Sequence, residues 1–266
     1  MEIEVLRDIW FALLGALLGA FLILGGIDFG ACMLASRSKK YADFAVKSIL
    51  PFWDANQVWL ILAGGALFAA FPQAYSAALS NLYTPVMLLL AALVVRVCAI
   101  EFYFAHDSSR WRNFWRFAAA VSAFLAMLIL GVALGAIFTG GIFGRSGGFF
   151  SEFLALFSPC NLIIGGAAAI FSLAQGALFL EIARRREEGA DASRAAFVLL
   201  ANSMAALIIV ATFCAAAYPY ILPPQIDISN SSSALTLEIM LGVAGVGVPV
   251  VLAYTAYSYW LFLRKN

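Results

Sequence analysis

About seven stretches of this chain are apolar over some 20 consecutive positions, long enough at about 1.5 Å per residue to cross a hydrocarbon core of roughly 30 Å as helices. They fall at residues 9–34, 52–71, 82–104, 114–138, 160–182, 195–221 and 235–263. That pattern predicts an all-α, polytopic membrane bundle. With 64% hydrophobic and 12% charged residues in 266, and a mean hydropathy of +0.95, the mixture lies far from that of a water-soluble domain. The polar connections are short, so no separate soluble domain is expected.

The loop charges give an orientation. Arg37, Lys39, Lys40 and Lys47 follow the first stretch, Arg110, Arg112 and Arg116 the third, Arg184, Arg185, Arg186 and Arg194 surround the loop after the fifth, and Arg264 and Lys265 close the chain. The alternate loops are nearly bare, with Arg145 and Glu152 in one and Asp227 in another. The positive-inside rule then places the N-terminus outside and the C-terminus in the cytoplasm. Glu2, Glu4, Arg7 and Asp8 do not make the positive leader of a cleavable signal, so the first stretch is expected to remain as a span. Basic residues sit in short clusters rather than in a basic domain, which argues against nucleic-acid binding.

The second stretch breaks the apolar pattern. Its uninterrupted apolar run, 58–71, has 14 residues, about 21 Å of helix, too short to span. The helix must recruit polar residues at one end, Trp53, Asp54, Asn56 and Gln57, or continue through Pro72 at the other. Asp54 is thereby expected inside or at the edge of the bilayer, where an ionisable group is a functional candidate. Asp28 and Glu101 fall at a similar depth, near the cytoplasmic ends of the first and third stretches. If the first three helices are neighbours, these three carboxylates can converge on one pocket. Arg96 lies five residues before Glu101, deeper in the third stretch and rotated by roughly 140° from it. At that depth it needs a carboxylate, carbonyls or a ligand headgroup; a structural salt bridge and a quinone or lipid contact are equally open.

Other features are assigned to packing. Gly15 with Gly19, and Gly131 with Gly135, fit small-xxx-small helix contacts. Trp10, Trp53, Trp111, Trp115 and Trp260 fall near span ends, where indoles anchor at the interface. Cys32, Cys98, Cys160 and Cys214 show no metal or redox spacing and are expected as free thiols. The glycine-rich segment 140–148 reads as a loop. The single histidine, His106, excludes a bis-histidine haem or a multi-histidine metal site within this chain.

Intramembrane carboxylates backed by amides are what a proton relay requires. Snorkelling or helix-capping acids would look the same along the sequence. No G-x-S-x-G elbow, H-E-x-x-H or phosphate loop occurs. The classes left open are a subunit of a proton-coupled redox complex, a secondary transporter and a structural membrane partner.

The run Trp53-Asp54-Ala55-Asn56-Gln57-Val58-Trp59, continuing through Ala63-Gly64-Gly65 to Phe71-Pro72, closely resembles the signature of subunit II of the cytochrome bd ubiquinol oxidases. Gly26-Ile27-Asp28-Phe29-Gly30, the segment from Arg96 to Glu101, Gln175-Gly176-Ala177 and the final helix with Tyr254-Thr255-Ala256-Tyr257 resemble the same family in the same order. The resemblance implies a terminal oxidase of the bacterial plasma membrane, in which quinol oxidation is coupled to reduction of oxygen to water with protons drawn from the cytoplasm. It implies a haem-free partner of subunit I, where haem b, haem d and the quinol site reside. This partner supports assembly and supplies a proton path through Asp28, Asp54 and Glu101, with Asn56 and Gln57 as supporting polar groups. Arg96 and Trp53 become candidates for contact with a bound quinone or lipid, and no metal ligand is expected. Small single-span accessory subunits are further candidate partners. Two departures stand out: Gly25 replaces an acidic residue of some members, and Glu101 stands where aspartate is usual. The family has about nine spans, in two four-helix bundles and a peripheral helix. Here residues 1–138 would form the first bundle and 139–266 a shortened second one, as if two helices between the Gln175 element and the next span were absent.

Overall fold

The computed structural model describes residues 2–143 and 154–265; Arg145, Glu152 and the glycines from Gly144 to Gly148 lie outside them. Helices dominate. In chain order they are α1 (Ile3–Leu34), α2 (Lys39–Ile49), α3 (Trp53–Ala70), α4 (Pro72–Asn81), α5 (Tyr83–Phe102), α6 (Ser109–Phe138), α7 (Pro159–Glu187), α8 (Ser193–Ala217) and α9 (Ala234–Lys265). A short antiparallel hairpin, β1 (Tyr220–Leu222) with β2 (Ile226–Asp227), joins α8 to α9. Among the described residues, six helices, α1 and α5 to α9, are long and apolar enough to cross a membrane alone. The seventh candidate is the pair α3 and α4, bent by 119° at its break.

Local chemistry places these boundaries. Pro72 has no N–H to donate and restricts Phe71, so α3 stops there and α4 restarts with proline in its first turn. The short apolar run therefore recruits Trp53 to Gln57, not Pro72 onward. Ser38 caps α2 by accepting from the Tyr41 amide, and Ser158 caps α7 by accepting from Asn161. Gly189, at φ +67°, ends the turn after α7 in the left-handed conformation suited to glycine.

The centre of the molecule is α1. It packs against α7, α3 and α6, and also touches α2, α8 and α9. The α1–α7 crossing is very close: a Cβ built on Gly30 would lie 1.8 Å from the Ser172 carbonyl oxygen, and one on Gly176 would lie 2.3 Å from the Ala31 nitrogen. Gly131 meets Gly165, and Gly15 and Gly19 face Cys214 and Leu207 of α8, so the small-residue pairs expected to pack helices do so. Among the described residues, α5 packs chiefly on α6, and α7 bridges α1 and α6. The halves on either side of residue 138 share one core.

Two expectations change. Trp10 is not an interfacial anchor but a buried residue, 2% exposed, whose indole donates to the Leu237 carbonyl at 3.1 Å. The wet ends also hold more structure than hydropathy reveals. On one side α2 is pinned to the α5–α6 connection by Tyr103, which donates to Asp43 at 2.8 Å, and by Arg112, 3.6 Å from Asp43 and 2.6 Å from Asp107. On the other, Arg7 donates to Ser231 at 2.9 Å, and Ser232 donates through its backbone and side chain to the carbonyls of Ala70 and Ala69. These are the carbonyls that the break at Pro72 leaves free. Hydrogen bonds from the Ser229 hydroxyl and amide hold the Asp227 carboxyl below its ordinary range.

Candidate functional site: a buried polar cluster around Asp28

Asp28 lies on α1 where that helix meets α3 and α7, and none of its surface is exposed. Its partner is Asn56 of α3, also fully buried, whose Nδ2 stands 3.1 Å from both carboxylate oxygens. The same nitrogen lies 3.1 Å from the Leu24 carbonyl and 3.0 Å from the Tyr259 hydroxyl of α9. Four acceptors around a group with two hydrogens share its donation between them. Tyr259 in turn donates toward Asn56 Oδ1 at 3.4 Å and stacks on Phe52, with ring centroids 4.6 Å apart. Phe52 meets Phe179 of α7 edge-on, which closes this end of the cluster with aromatic rings.

Arg96 supplies the positive charge. It reaches from α5 to sit over the Phe29 ring at 4.3 Å and within 5.9 Å of the Trp53 ring. It is fully buried, and none of its three side-chain nitrogens has a hydrogen-bond partner among the described residues. Its charge acts on Asp28 and on Cys32. A buried cation is costly without compensation; here the nearby carboxylate and two ring faces provide it. A lipid headgroup would reach Arg96 only if the chain opened, because the guanidinium is enclosed by protein.

The expected convergence of three carboxylates does not occur within this chain. Asp54 and Glu101 are exposed, and no contact joins either to Asp28. The reason is rotational for Asp54: it precedes Asn56 by two residues, about 200° around the helix, so when Asn56 turns inward Asp54 turns out. Glu101 is likewise turned away from the buried Arg96, as the five-residue offset requires. Gln57 and Trp53 are partly exposed, and Gln57 Nε2 is buried without a partner. Tyr259 was missing from the sequence-derived set. An aromatic near the end of a terminal span carries no signal that separates a cluster member from an interfacial anchor.

Haem is the cofactor that the family resemblance raises, and this chain's residues do not fit it. His106 is exposed and packs against Trp111. Among the described residues, no three His, Cys, Asp or Glu side chains gather to hold a metal ion. All four cysteines are free. A separate apolar cavity of about 240 Å³, walled by Leu14, Gly15, Leu60, Leu67, Ile137 and Cys214 among others, has no carboxylate or cation in its lining and stands apart from the charged chemistry.

Fold and cluster together define a multi-span helical membrane protein with an ionisable core. A family model described as cytochrome bd terminal oxidase subunit II matches residues 6–210 and 189–262, and the chain belongs to that family, a membrane component of a bacterial respiratory oxidase. Cytochrome bd-I ubiquinol oxidase subunit 2 of Escherichia coli (strain K12) is 28% identical, over 98% of this chain and 95% of that protein. Cytochrome bd ubiquinol oxidase subunit 2 of Bacillus subtilis (strain 168) is 37% identical over 51% of this chain and 41% of its own. The structure of bd oxidase from Geobacillus thermodenitrificans matches the fold with a TM-score of 0.63 at 16% identity, covering 98% of this chain and 100% of that one. The Escherichia coli alignment runs over 363 positions against 266 residues here, so that relative carries segments without counterpart in this chain. The two family matches share residues 189–210, and α8 is therefore claimed by both parts of the family pattern.

Proposed function

We propose that this chain is the haem-free subunit II of a bd-type quinol:oxygen oxidoreductase. It supports assembly of the haem-bearing subunit I and supplies a proton path from the cytoplasm for reduction of oxygen to water, which makes turnover electrogenic by vectorial chemistry. The basic loops favour an outer N-terminus and a cytoplasmic C-terminus, with α2 and the α5–α6 connection on the cytoplasmic side. The family resemblance assigns residues 1–138 to a first bundle and 139–266 to a shortened second one. The partners are subunit I with haems b and d, quinol, membrane lipids and small single-span subunits. Trp53, partly exposed in front of Arg96, is the side chain that a quinone or lipid would meet first.

The observation that carries the proton reading is the full burial of Asp28 against Asn56. A carboxylate withdrawn from lipid and water, with a buried cation nearby, is expensive to maintain for packing alone. Asp28 is the inner proton site, while Asp54 and Glu101 are the outward-turned acids that feed it, at a surface open to subunit I or to cytoplasmic water. The test is Asp28→Asn in the purified complex, which keeps the shape and removes the titrating group. Quinol-driven oxygen consumption falls by roughly tenfold or more with haem content unchanged. Full turnover rejects the proton role, and loss of haem assigns Asp28 to assembly.

A further inference from the structure

The basic residues at the wet end that carries α2 differ in how they are neutralised. At the turn after α7, Arg184 pairs with Glu181 and Glu188 at 2.9 and 3.1 Å, and Arg185 pairs with Glu181 at 2.6 Å. Around the α5–α6 connection acids are scarcer. Asp43 accepts from the Tyr103 hydroxyl and faces Arg112, and Asp107 also pairs with Arg112. Lys47 shares the Phe104 ring with Arg112 but makes no ion pair among the described residues. Arg116, one turn further along α6, makes none either, although its charge reaches the Tyr103 hydroxyl.

Arg116 is held in an uncommon way for an unpaired cation. It is partly buried, its guanidinium carbon lies 4.8 Å over the Phe117 ring, and its Nε is enclosed without a partner. Its two Nη nitrogens are not enclosed and make no hydrogen bond among the described residues. An arginine that only snorkels keeps its whole head in water; this one rests on an aromatic face with one edge open. Just before it, Trp111, Phe114 and Trp115 pack edge to edge, and indoles of this kind sit at headgroup level. Beyond it, Phe117, Val121, Phe124 and Leu125 are exposed and follow one another at helical spacing. From Arg116 to Leu125 the helix rises about 14 Å, close to half of a hydrocarbon core of roughly 30 Å.

We propose that Arg116 binds the phosphate of an anionic phospholipid, with an acyl chain laid along Phe117, Val121 and Phe124. The open edge of the guanidinium offers two donors in the planar fork that matches a phosphate. The uncompensated charge of Arg116 and Lys47 favours a headgroup of net negative charge over a zwitterionic one. The apolar stripe beneath gives the lipid tail a seat that a free phosphate ion would leave empty. The assignment narrows the lipid partners named above to one class and one place. It rests on that reading only for the presence of lipid and not for the proton path.

The experiment places the intact oxidase complex in nanodiscs of phosphatidylglycerol mixed equally with phosphatidylcholine. Lipid retained on release is counted by native mass spectrometry, and a haem spectrum is recorded for every variant. The parent retains phosphatidylglycerol over phosphatidylcholine. Arg116→Gln lowers that preference by about fivefold, Arg116→Lys keeps most of it, and Arg110→Gln, at the exposed start of the same helix, leaves it unchanged. No preference in the parent, or the parental preference in Arg116→Gln, overturns the site. So does an equal fall in Arg110→Gln, which reduces the effect to the general attraction of a basic surface. Displacement of the lipid by inorganic phosphate also overturns it, because the tail then contributes nothing. Loss of subunit I from Arg116→Gln, with no lipid on the parent, assigns the guanidinium to an acidic segment of the partner instead. Where Arg116→Gln yields no complex, the parent's preference and its response to inorganic phosphate still decide. Asp28→Asn measured alongside retains the lipid, so the lipid site and the proton reading fail separately.

Discussion

Replacing Gly30 by alanine perturbs the tightest crossing in the molecule. The new methyl would meet the Ser172 carbonyl oxygen at 1.8 Å, the Ser172 carbon at 2.7 Å and the Gly176 nitrogen at 2.8 Å, where ordinary contact begins at 3.4 Å. All three are backbone atoms, so no rotamer change relieves the clash and α1 must move away from α7. Overpacking of this kind costs about 1–3 kcal/mol, and rigid backbone on both sides places Gly30 at the upper end. Better helix propensity returns up to about 1 kcal/mol, which leaves a net loss of about 2 kcal/mol. Asp28 is two residues away and the buried Gln175 contacts Gly26 on the same face, so the shift also reaches the polar cluster. The assay is the half-life of the haem spectrum of the purified complex at a fixed raised temperature, because such assemblies unfold irreversibly. Gly30→Ala shortens that half-life by an order of magnitude or more. Adding Gly176→Ala costs much less than its single-variant effect, since the helices are already apart. Gly166→Ala on the same helix α7, with nothing within 4 Å of its new methyl, is neutral. A Gly30→Ala complex as long-lived as the parent refutes the close-crossing argument.

Further expectations follow from the two ends of the molecule and from its buried cation. Arg96→Met removes the charge that acts on Asp28 and lowers the yield of assembled complex; a double-mutant cycle with Asp28→Asn, read from thermal half-lives, gives a coupling of roughly 1–3 kcal/mol, and additive effects would show that the two charges do not interact. The Asp227 carboxyl, held low by Ser229, contributes hairpin stability that is present above the ordinary carboxylate range near about 4 and is lost as pH falls through its lowered folded value. Asp227→Asn therefore makes protease cutting of the 218–231 segment at neutral pH as fast as in the acidified parent, and an unaltered cutting rate would contradict this. Ser232→Ala removes the side-chain bond to Ala69 and costs about 1 kcal/mol, measured as faster amide exchange at the end of α3.

The long helices were legible because hydropathy measures what a spanning helix needs. The predicted stretches 114–138 and 235–263 correspond closely to α6 and α9. Pro72 marked the end of α3 for a steric reason that is visible in sequence. Which face of each helix turns inward was not legible. Asp54 and Asn56 sit two positions apart, so only one could face the core, and the amide took that place. Gly30 looked no different from Gly15 and Gly19, yet with Gly176 it forms the closest crossing, because closeness depends on the partner helix and not on the glycine. The amphipathic α2 escaped notice because its eleven residues have too little apolar length to register as a span. Tyr259 required a contact across more than two hundred positions, which no local pattern encodes.

The break between α3 and α4 has a consequence for the bilayer itself. Eighteen helical residues rise about 27 Å, and the first five carry Asp54, Asn56 and Gln57, so the hydrocarbon-compatible length of α3 is nearer the roughly 21 Å of its apolar run. With α3 taken along the membrane normal, the 119° turn sends α4 closer to the membrane plane than across it, and Ser232 secures that turn by taking the freed carbonyls of Ala69 and Ala70. Where so short a wall meets lipid, it is matched by local thinning of the bilayer, by snorkelling of its flanking residues or by association with another subunit. Thinning there would draw the aqueous boundary toward the Asn56 end of α3 and shorten the distance between water and the buried polar cluster.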